Sequence, residues 1–141
     1  MFPEANAPVI QLSIDETLTA DEHYELACGL QALRNEGVLI LGSGNVVHNL
    51  HTYAWGRHTV EPYDWAVRFE SRLRGLMTAR DFRGVVGYET IGRDAALAAP
   101  TPEHFLPLLY VLAQWRPDEP IAFPVEGFDG GSVSMLGVRV G

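Results

Sequence analysis

The stretch Gly42-Ser43-Gly44-Asn45, set directly behind the apolar run Val38-Leu39-Ile40-Leu41 and followed by Val46-Val47-His48-Asn49, constrains this chain more than any other. A short continuous apolar run with two β-branched members fits a strand covered on both faces, the pattern of a parallel strand in an α/β sheet. The glycines behind it stop that strand and let the backbone turn sharply and approach a neighbour closely. In an open α/β sheet, the loop at the carboxyl end of a strand borders the ligand crevice. His48 is therefore expected at the mouth of such a crevice.

The elements before this anchor extend the same pattern. Phe2 to Pro8 is held extended by its prolines, and Val9–Ile14 reads as a strand. Thr19 followed by Asp21 and Glu22 marks a helix start, and Leu26, Leu30 and Leu33 recur at helical spacing until Gly37 ends the segment. Strand, helix, strand with short connections forms a right-handed crossover in nearly all such units, which makes the two strands parallel neighbours or near neighbours. The expected architecture is α/β: a mixed, largely parallel sheet flanked by helices, in a single domain spanning 1–141. A length of 141 residues with 47% hydrophobic content is enough for one real core.

After the anchor, His51, Trp55, Arg57 and His58 lie in a stretch without period, read as an ordered surface loop. From Pro62 a helix is expected, with Trp65, Phe69, Leu73 and Leu76 as one apolar stripe. Asp81 is expected to cap a further short helix. Pro100-Thr101-Pro102-Glu103-His104 opens the last helix, with Thr101 as N-cap, Pro102 and His104 on its first turn and Glu103 near the positive end of its dipole. Phe105, Leu108, Leu109 and Leu112 supply its buried face. Ile121–Val125 and Ser132–Val140 read as strands separated by Gly127, Gly130 and Gly131.

Charge and hydropathy exclude whole classes of function. A net charge of -8, with only 10 Lys and Arg well scattered, excludes a phosphate-backbone partner. No apolar run approaches the roughly 18 to 20 residues of a membrane span, and the amino terminus lacks a basic n-region and an h-region, so a cytoplasmic protein is expected. Cys28 stands alone, lies in a helical pattern and is read as a small core residue.

The chemistry rests on histidines. His48 behind a strand-end glycine loop and His104 on a helix's first turn are both placed to reach a crevice. For either taken singly, an imidazole satisfied by a backbone hydrogen bond explains the placement equally well. His23, His51 and His58 are expected to be solvated. Gly42-Ser43-Gly44 is not a nucleophile elbow, and the loop lacks both a dinucleotide fingerprint and a Walker lysine. Two histidines begin a metal site but do not complete a three-ligand face.

Three motifs in order, Gly42 to Asn49, Tyr63-Asp64-Trp65-Ala66, and Pro100 to Leu108, closely resemble the second half of the class III extradiol ring-cleavage dioxygenases, in the branch of the DOPA dioxygenases. Phe2-Pro3-Glu4-Ala5 and Gly131-Ser132-Val133-Ser134-Met135 resemble that group too, so the likeness covers nearly the whole chain. Leu136 and Gly137 depart from the polar continuation usual after Met135.

The resemblance implies a mononuclear non-haem Fe(II) enzyme, with Zn as a substitute metal, that binds a catechol or DOPA-like substrate through both hydroxyls and opens its ring with dioxygen. It makes His48 the acid–base residue, able also to approach the metal, and His104 a metal ligand. Asn45 and Asn49 shape the loop or contact the substrate pocket, and the two roles stand as equal alternatives. Tyr63, Asp64 and Trp65 start and pack a helix. The family's first half carries a His-Gly-Ser/Ala-Pro turn and a Ser-Ala-His-Trp segment that bring the other ligands, and neither occurs here.

A chain with one clear ligand should bind iron weakly, and the strands it lacks would leave a sheet edge unpaired. Association is expected. It takes one of three forms: a second chain that supplies the amino-terminal half of a split dioxygenase; a non-catalytic domain that binds a small aromatic ligand or a protein; or a homo-oligomeric metal site that adds His51 or His58 of a neighbour to His48 and His104.

Overall fold

The computed structural model describes residues 3–4, 6–57 and 59–141; Phe2, Ala5 and His58 lie outside the described residues. Among the described residues there are five α-helices: α1 (Ala20–Gly29), α2 (Asp64–Thr78), α3 (Phe82–Val86), α4 (Ala95–Ala98) and α5 (Leu106–Leu112). Four strands follow α5: β1 (Ile121–Val125), β2 (Phe128–Asp129), β3 (Val133–Ser134) and β4 (Gly137–Val140).

Local chemistry explains where the helices start and stop. The Thr19 hydroxyl accepts from the Glu22 amide while the Glu22 carboxylate accepts from the Thr19 amide, a reciprocal capping box. A 3-10 turn over Gln31–Glu36 continues from α1 until Gly37, at φ 79°, ends it in the left-handed region that glycine occupies without strain. Asp81 caps α3 by accepting from the Gly84 amide, as the sequence predicts. The last helix begins later than predicted. Thr101 is not its N-cap: α5 starts at Leu106 behind Phe105, with Pro107 in its first turn, and Pro102 to His104 form a preceding turn. Pro102 accepts from the amides of both Phe105 and Leu106, so the turn feeds the helix without belonging to it.

One core cluster gathers Phe69, Leu73 and Met77 of α2, Val85 and Val86 of α3, Ala95 and Ala98 of α4, and Leu106, Leu109 and Leu112 of α5, together with Val46, Val47, Tyr88 and Phe105. The α1 stripe differs from its leucine pattern. Leu26 is exposed, and the buried positions are Ala27 and His23. His23, expected in solvent, is fully buried between the Tyr110 hydroxyl at 2.8 Å and the Asp15 carbonyl at 3.0 Å. An imidazole with a partner at each nitrogen can be buried at little cost, which hydropathy alone does not reveal. Cys28, expected in the core, is exposed because it sits on the outward face beside Ala27.

Helix and strand are mixed, as expected. The strands form two small antiparallel ladders, β1 with β4 and β2 with β3, and no parallel pair occurs among the described residues. Two predicted strands are absent. Val9–Ile14 and Val38–Leu41 belong to no ladder, and Val9, Ile10, Leu12, Leu39 and Leu41 are exposed. The predicted crossover between them goes with them. A strand is defined by a neighbour's hydrogen bonds as well as by its own sequence, and neither run has one. No helix among the described residues is long and apolar enough to cross a membrane.

Candidate functional site

The glycine loop docks on the turn before α5. The Asn45 amide donates to the His104 carbonyl at 2.9 Å. A Cβ on Gly44 would stand 2.2 Å from that same carbonyl oxygen, and one on Gly42 would stand 2.6 Å from the Pro107 carbonyl oxygen. These glycines are therefore required for close approach, and the approach carries His48 to His104. The two imidazole rings lie with centroids 5.0 Å apart at an angle of 52°.

The two histidines differ in their surroundings. His48 is buried; its amide donates to the Ala98 carbonyl, and its backbone forms a bridge with Val133. Its Nδ1 faces the Asn45 carbonyl at 3.0 Å and its Nε2 the Thr101 carbonyl at 2.9 Å. Both ring nitrogens thus oppose acceptors, and ligation by either would displace a carbonyl. His104 is half exposed, and its Nε2 lies 3.8 Å from the Glu103 carboxylate. Glu103 in turn accepts from the Thr101 hydroxyl at 2.7 Å, and that hydrogen bond holds its carboxyl below the usual range.

A cavity of about 390 Å³ opens beside His104, and His48 is not among its lining residues. Gly42, Ser43, Gly44, Asn45 and His104 form one side, and Met135 and Leu136 are among the residues of the other. Asn45 reaches the cavity, and its Nδ2 donates to the Ser134 carbonyl at 2.8 Å. Asn49 does not line the cavity: its Nδ2 donates to Leu97 while its Oδ1 accepts from the amides of His51 and Thr52. Its geometry is that of a loop-shaping residue. His51 is exposed in the loop that Asn49 organises, and Tyr63 ties the same loop down by donating from its hydroxyl to the Thr52 carbonyl.

A buried carboxyl, not anticipated from the sequence, supports the far wall. Glu70 is only 7% exposed, and its Oε2 accepts from the Ser134 hydroxyl at 2.5 Å. That hydroxyl oxygen also accepts from the Leu136 amide at 3.0 Å, which fixes the Ser134–Leu136 turn. Burial pushes the Glu70 carboxyl above the usual carboxylate range, and the Ser134 hydrogen bond opposes the shift. The signal in the sequence was its spacing: Ala66, Glu70, Leu73 and Met77 share one face of α2, so the carboxyl had to be buried with them.

Among the described residues no group of three His, Cys, Asp or Glu side chains stands ready to hold a metal ion. His104 alone offers an uncommitted imidazole at this site.

No family model matches the chain. It is similar to the 4,5-DOPA dioxygenase extradiol of Escherichia coli K12, 44% identical over 146 residues, which cover 100% of this chain and 52% of that protein. The protein of the same name from Beta vulgaris is 37% identical over 95% of this chain and 49% of its own length. The crystal structure of an uncharacterized Escherichia coli K12 protein superposes with a TM-score of 0.91 at 45% identity, covering 100% of this chain and 58% of that one. The chain thus spans about half the length of the curated relatives it matches. Along its whole length the chain is similar to proteins named 4,5-DOPA dioxygenase extradiol, in a match consistent with the carboxyl-terminal half of that branch.

Proposed function

We propose that this chain contributes His48 as acid–base residue and His104 as one metal ligand to an extradiol ring-cleavage dioxygenase that opens a catechol or DOPA-like diol with non-haem Fe(II) and dioxygen. The observation that carries this reading is the approach of the two rings to 5.0 Å, with His104 lining a cavity of about 390 Å³, within the size range of small-molecule sites. Asn45 lines that cavity from the loop, whereas Asn49 acts behind it.

The donors on this chain do not by themselves fit the metal. An Fe(II) oxygenase site takes three protein ligands on one face, and His104 supplies one. Zn, which accepts the same nitrogen ligands, meets the same shortage. The part played by this chain's own residues is narrower. His48 gives or takes a proton by exchanging the Thr101 carbonyl at Nε2 for a substrate oxygen, while the Asn45 carbonyl at Nδ1 holds the ring in place.

The test pairs metal occupancy with turnover. The chain is co-produced with the amino-terminal half of the Escherichia coli relative, loaded anaerobically with Fe(II), and read by native mass spectrometry and by oxygen uptake with a catechol. His104→Ala is expected to lower iron occupancy by more than about tenfold, since even outer partners of a metal site are worth about 10–100-fold in affinity. His48→Gln should keep the iron and lose oxygen uptake. Unchanged occupancy in His104→Ala overturns the ligand assignment.

A second reading, a non-catalytic domain that binds a small aromatic or a protein, is favoured by one observation: both His48 nitrogens already face carbonyls. In that case neither variant alters oxygen uptake, because there is none. A homo-oligomeric centre is the third proposal, with exposed His51 of a neighbouring copy joining His104. It requires iron or zinc in a homomer that His51→Ala empties.

A further inference from the structure

Two stretches of backbone are apolar and unpaired. From Leu39 to Gly44 no backbone N–H or C=O enters a hydrogen bond among the described residues, and the same holds from Val9 to Ser13. Leu39 is 62% exposed and Leu41 71%, in side chains that folded proteins ordinarily bury. Exposed edge backbone of this kind is a template for another strand.

The Val38–Val46 ribbon also borders a continuous trough. A cavity of about 340 Å³ lies along Val38 to Gly42, and it shares Leu41, Gly42, Val111 and Val138 with the larger cavity that ends at His104. On the other side runs β4, whose partner among the described residues is β1 alone, leaving its second edge unpaired. Leu39 to Gly44 in extended form covers roughly 20 Å at about 3.3 Å per residue. It ends beside His104, whose carbonyl receives the Asn45 amide.

We infer that this trough is the seat of a strand from a segment equivalent to the amino-terminal half of the relatives, hydrogen-bonded along Leu39–Gly44 with its end delivered to His104. The inference deepens the dioxygenase reading and takes the occupant's identity from it; the surface itself stands on the unpaired backbone. Two quantities select the occupant. The match covers all of this chain but 52% of the Escherichia coli relative, so that relative carries a further segment of nearly equal size. A compact monomer of 15.6 kDa exposes about 7,200 Å², whereas this chain exposes 8841 Å². The excess is well above the roughly 800 Å² that each partner buries in a standard interface. A second copy would offer the same apolar ribbon again and bring no new donor to His104.

Hydrogen exchange tests this without reference to activity. The full chain is co-produced with the amino-terminal half of the Escherichia coli relative, and complexes are read by native mass spectrometry. A one-to-one complex in which the Leu39–Gly44 amides exchange at least about tenfold more slowly than in the free chain supports the inference. Leu39→Lys with Leu41→Glu, both at exposed positions and so compatible with the fold, should weaken that complex by roughly tenfold or more by burying unpaired charge. If the free half is insoluble, a fusion of it ahead of this chain gives the same amide readout. A homodimer as the sole complex, a one-to-one complex or soluble fusion with those amides unprotected, or no complex when both halves are soluble overturns it. Protection without iron binding would keep this docking surface and sink the dioxygenase reading.

Discussion

At single residues, function here depends on close approach more than on side-chain chemistry. Gly44 has no room for a methyl group, since its Cβ would meet the His104 carbonyl oxygen at 2.2 Å. Gly44→Ala must therefore push the loop off the turn that carries His104, and overpacking of this kind costs about 1–3 kcal/mol. Urea denaturation should show that loss, whereas Gly29→Ala, with open space around it, should be neutral or slightly stabilising. Glu70 gives a pH signature. Its folded-state value is raised above the ordinary 4.5, so the folded state holds the proton more tightly than the unfolded state. The resulting contribution is fully present below about pH 4.5 and is lost as pH rises through the folded-state value. Glu70→Gln should remove that decline, seen as a flatter dependence of the urea midpoint above about pH 4.5. A variant that follows the wild-type slope would rule Glu70 out as its source. The order of the chain put His48 behind a glycine loop and His104 just ahead of a helix, and the fold brings their rings to 5.0 Å. The spacing of α2 marks Glu70 for burial, but its partner Ser134, like the Tyr110 partner of the buried His23, is supplied only by the fold.

Among the elements, helices were legible and edge strands were not, for a physical reason. A helix closes its hydrogen bonds within itself, and its caps are written locally. Thr19 and Glu22 show this: the predicted start of α1 is a full capping box. Thr19→Ala should cost about 1 kcal/mol, the usual worth of a lost N-cap, read as a lower thermal midpoint with the fold retained. A change well above that would mean that Thr19 does more than cap. The α5 boundary slipped because Thr101, Pro102 and Glu103 carry every local signal of a helix start but are used to build the turn that presents His104. Val9–Ile14 and Val38–Leu41 carry strand composition, yet composition cannot supply the neighbour that a strand requires. β1 and β4 could form because their partners lie on this chain itself, brought back to one another by the intervening β2–β3 ladder and the Gly127–Gly131 turns.

For the whole molecule, the unsatisfied edges become a stability problem. An unfolded chain of 15.6 kDa exposes about 1.45 Å² per dalton, so the folded area of 8841 Å² means that roughly 61% of the surface is buried. That fraction is typical of a domain of about 60 residues, whereas chains near 150 residues bury about 68–70%. The isolated chain is thus expected to be marginal, and whatever covers the Leu39–Gly44 ribbon should stabilise it by mass action. A partner that binds only the folded state adds about 2.7 kcal/mol at a concentration 100 times its Kd. For a domain of this size that corresponds to a rise of roughly 5–10 °C in thermal midpoint. Titrating the amino-terminal half of the Escherichia coli relative into this chain should raise the midpoint with the logarithm of its concentration. Leu39→Lys with Leu41→Glu should leave the midpoint of the free chain nearly unchanged while abolishing that rise. If the midpoint instead stays constant as partner is added, the exposed ribbon is tolerated as it stands, and the fold holds together on the core of α2, α3 and α5 alone.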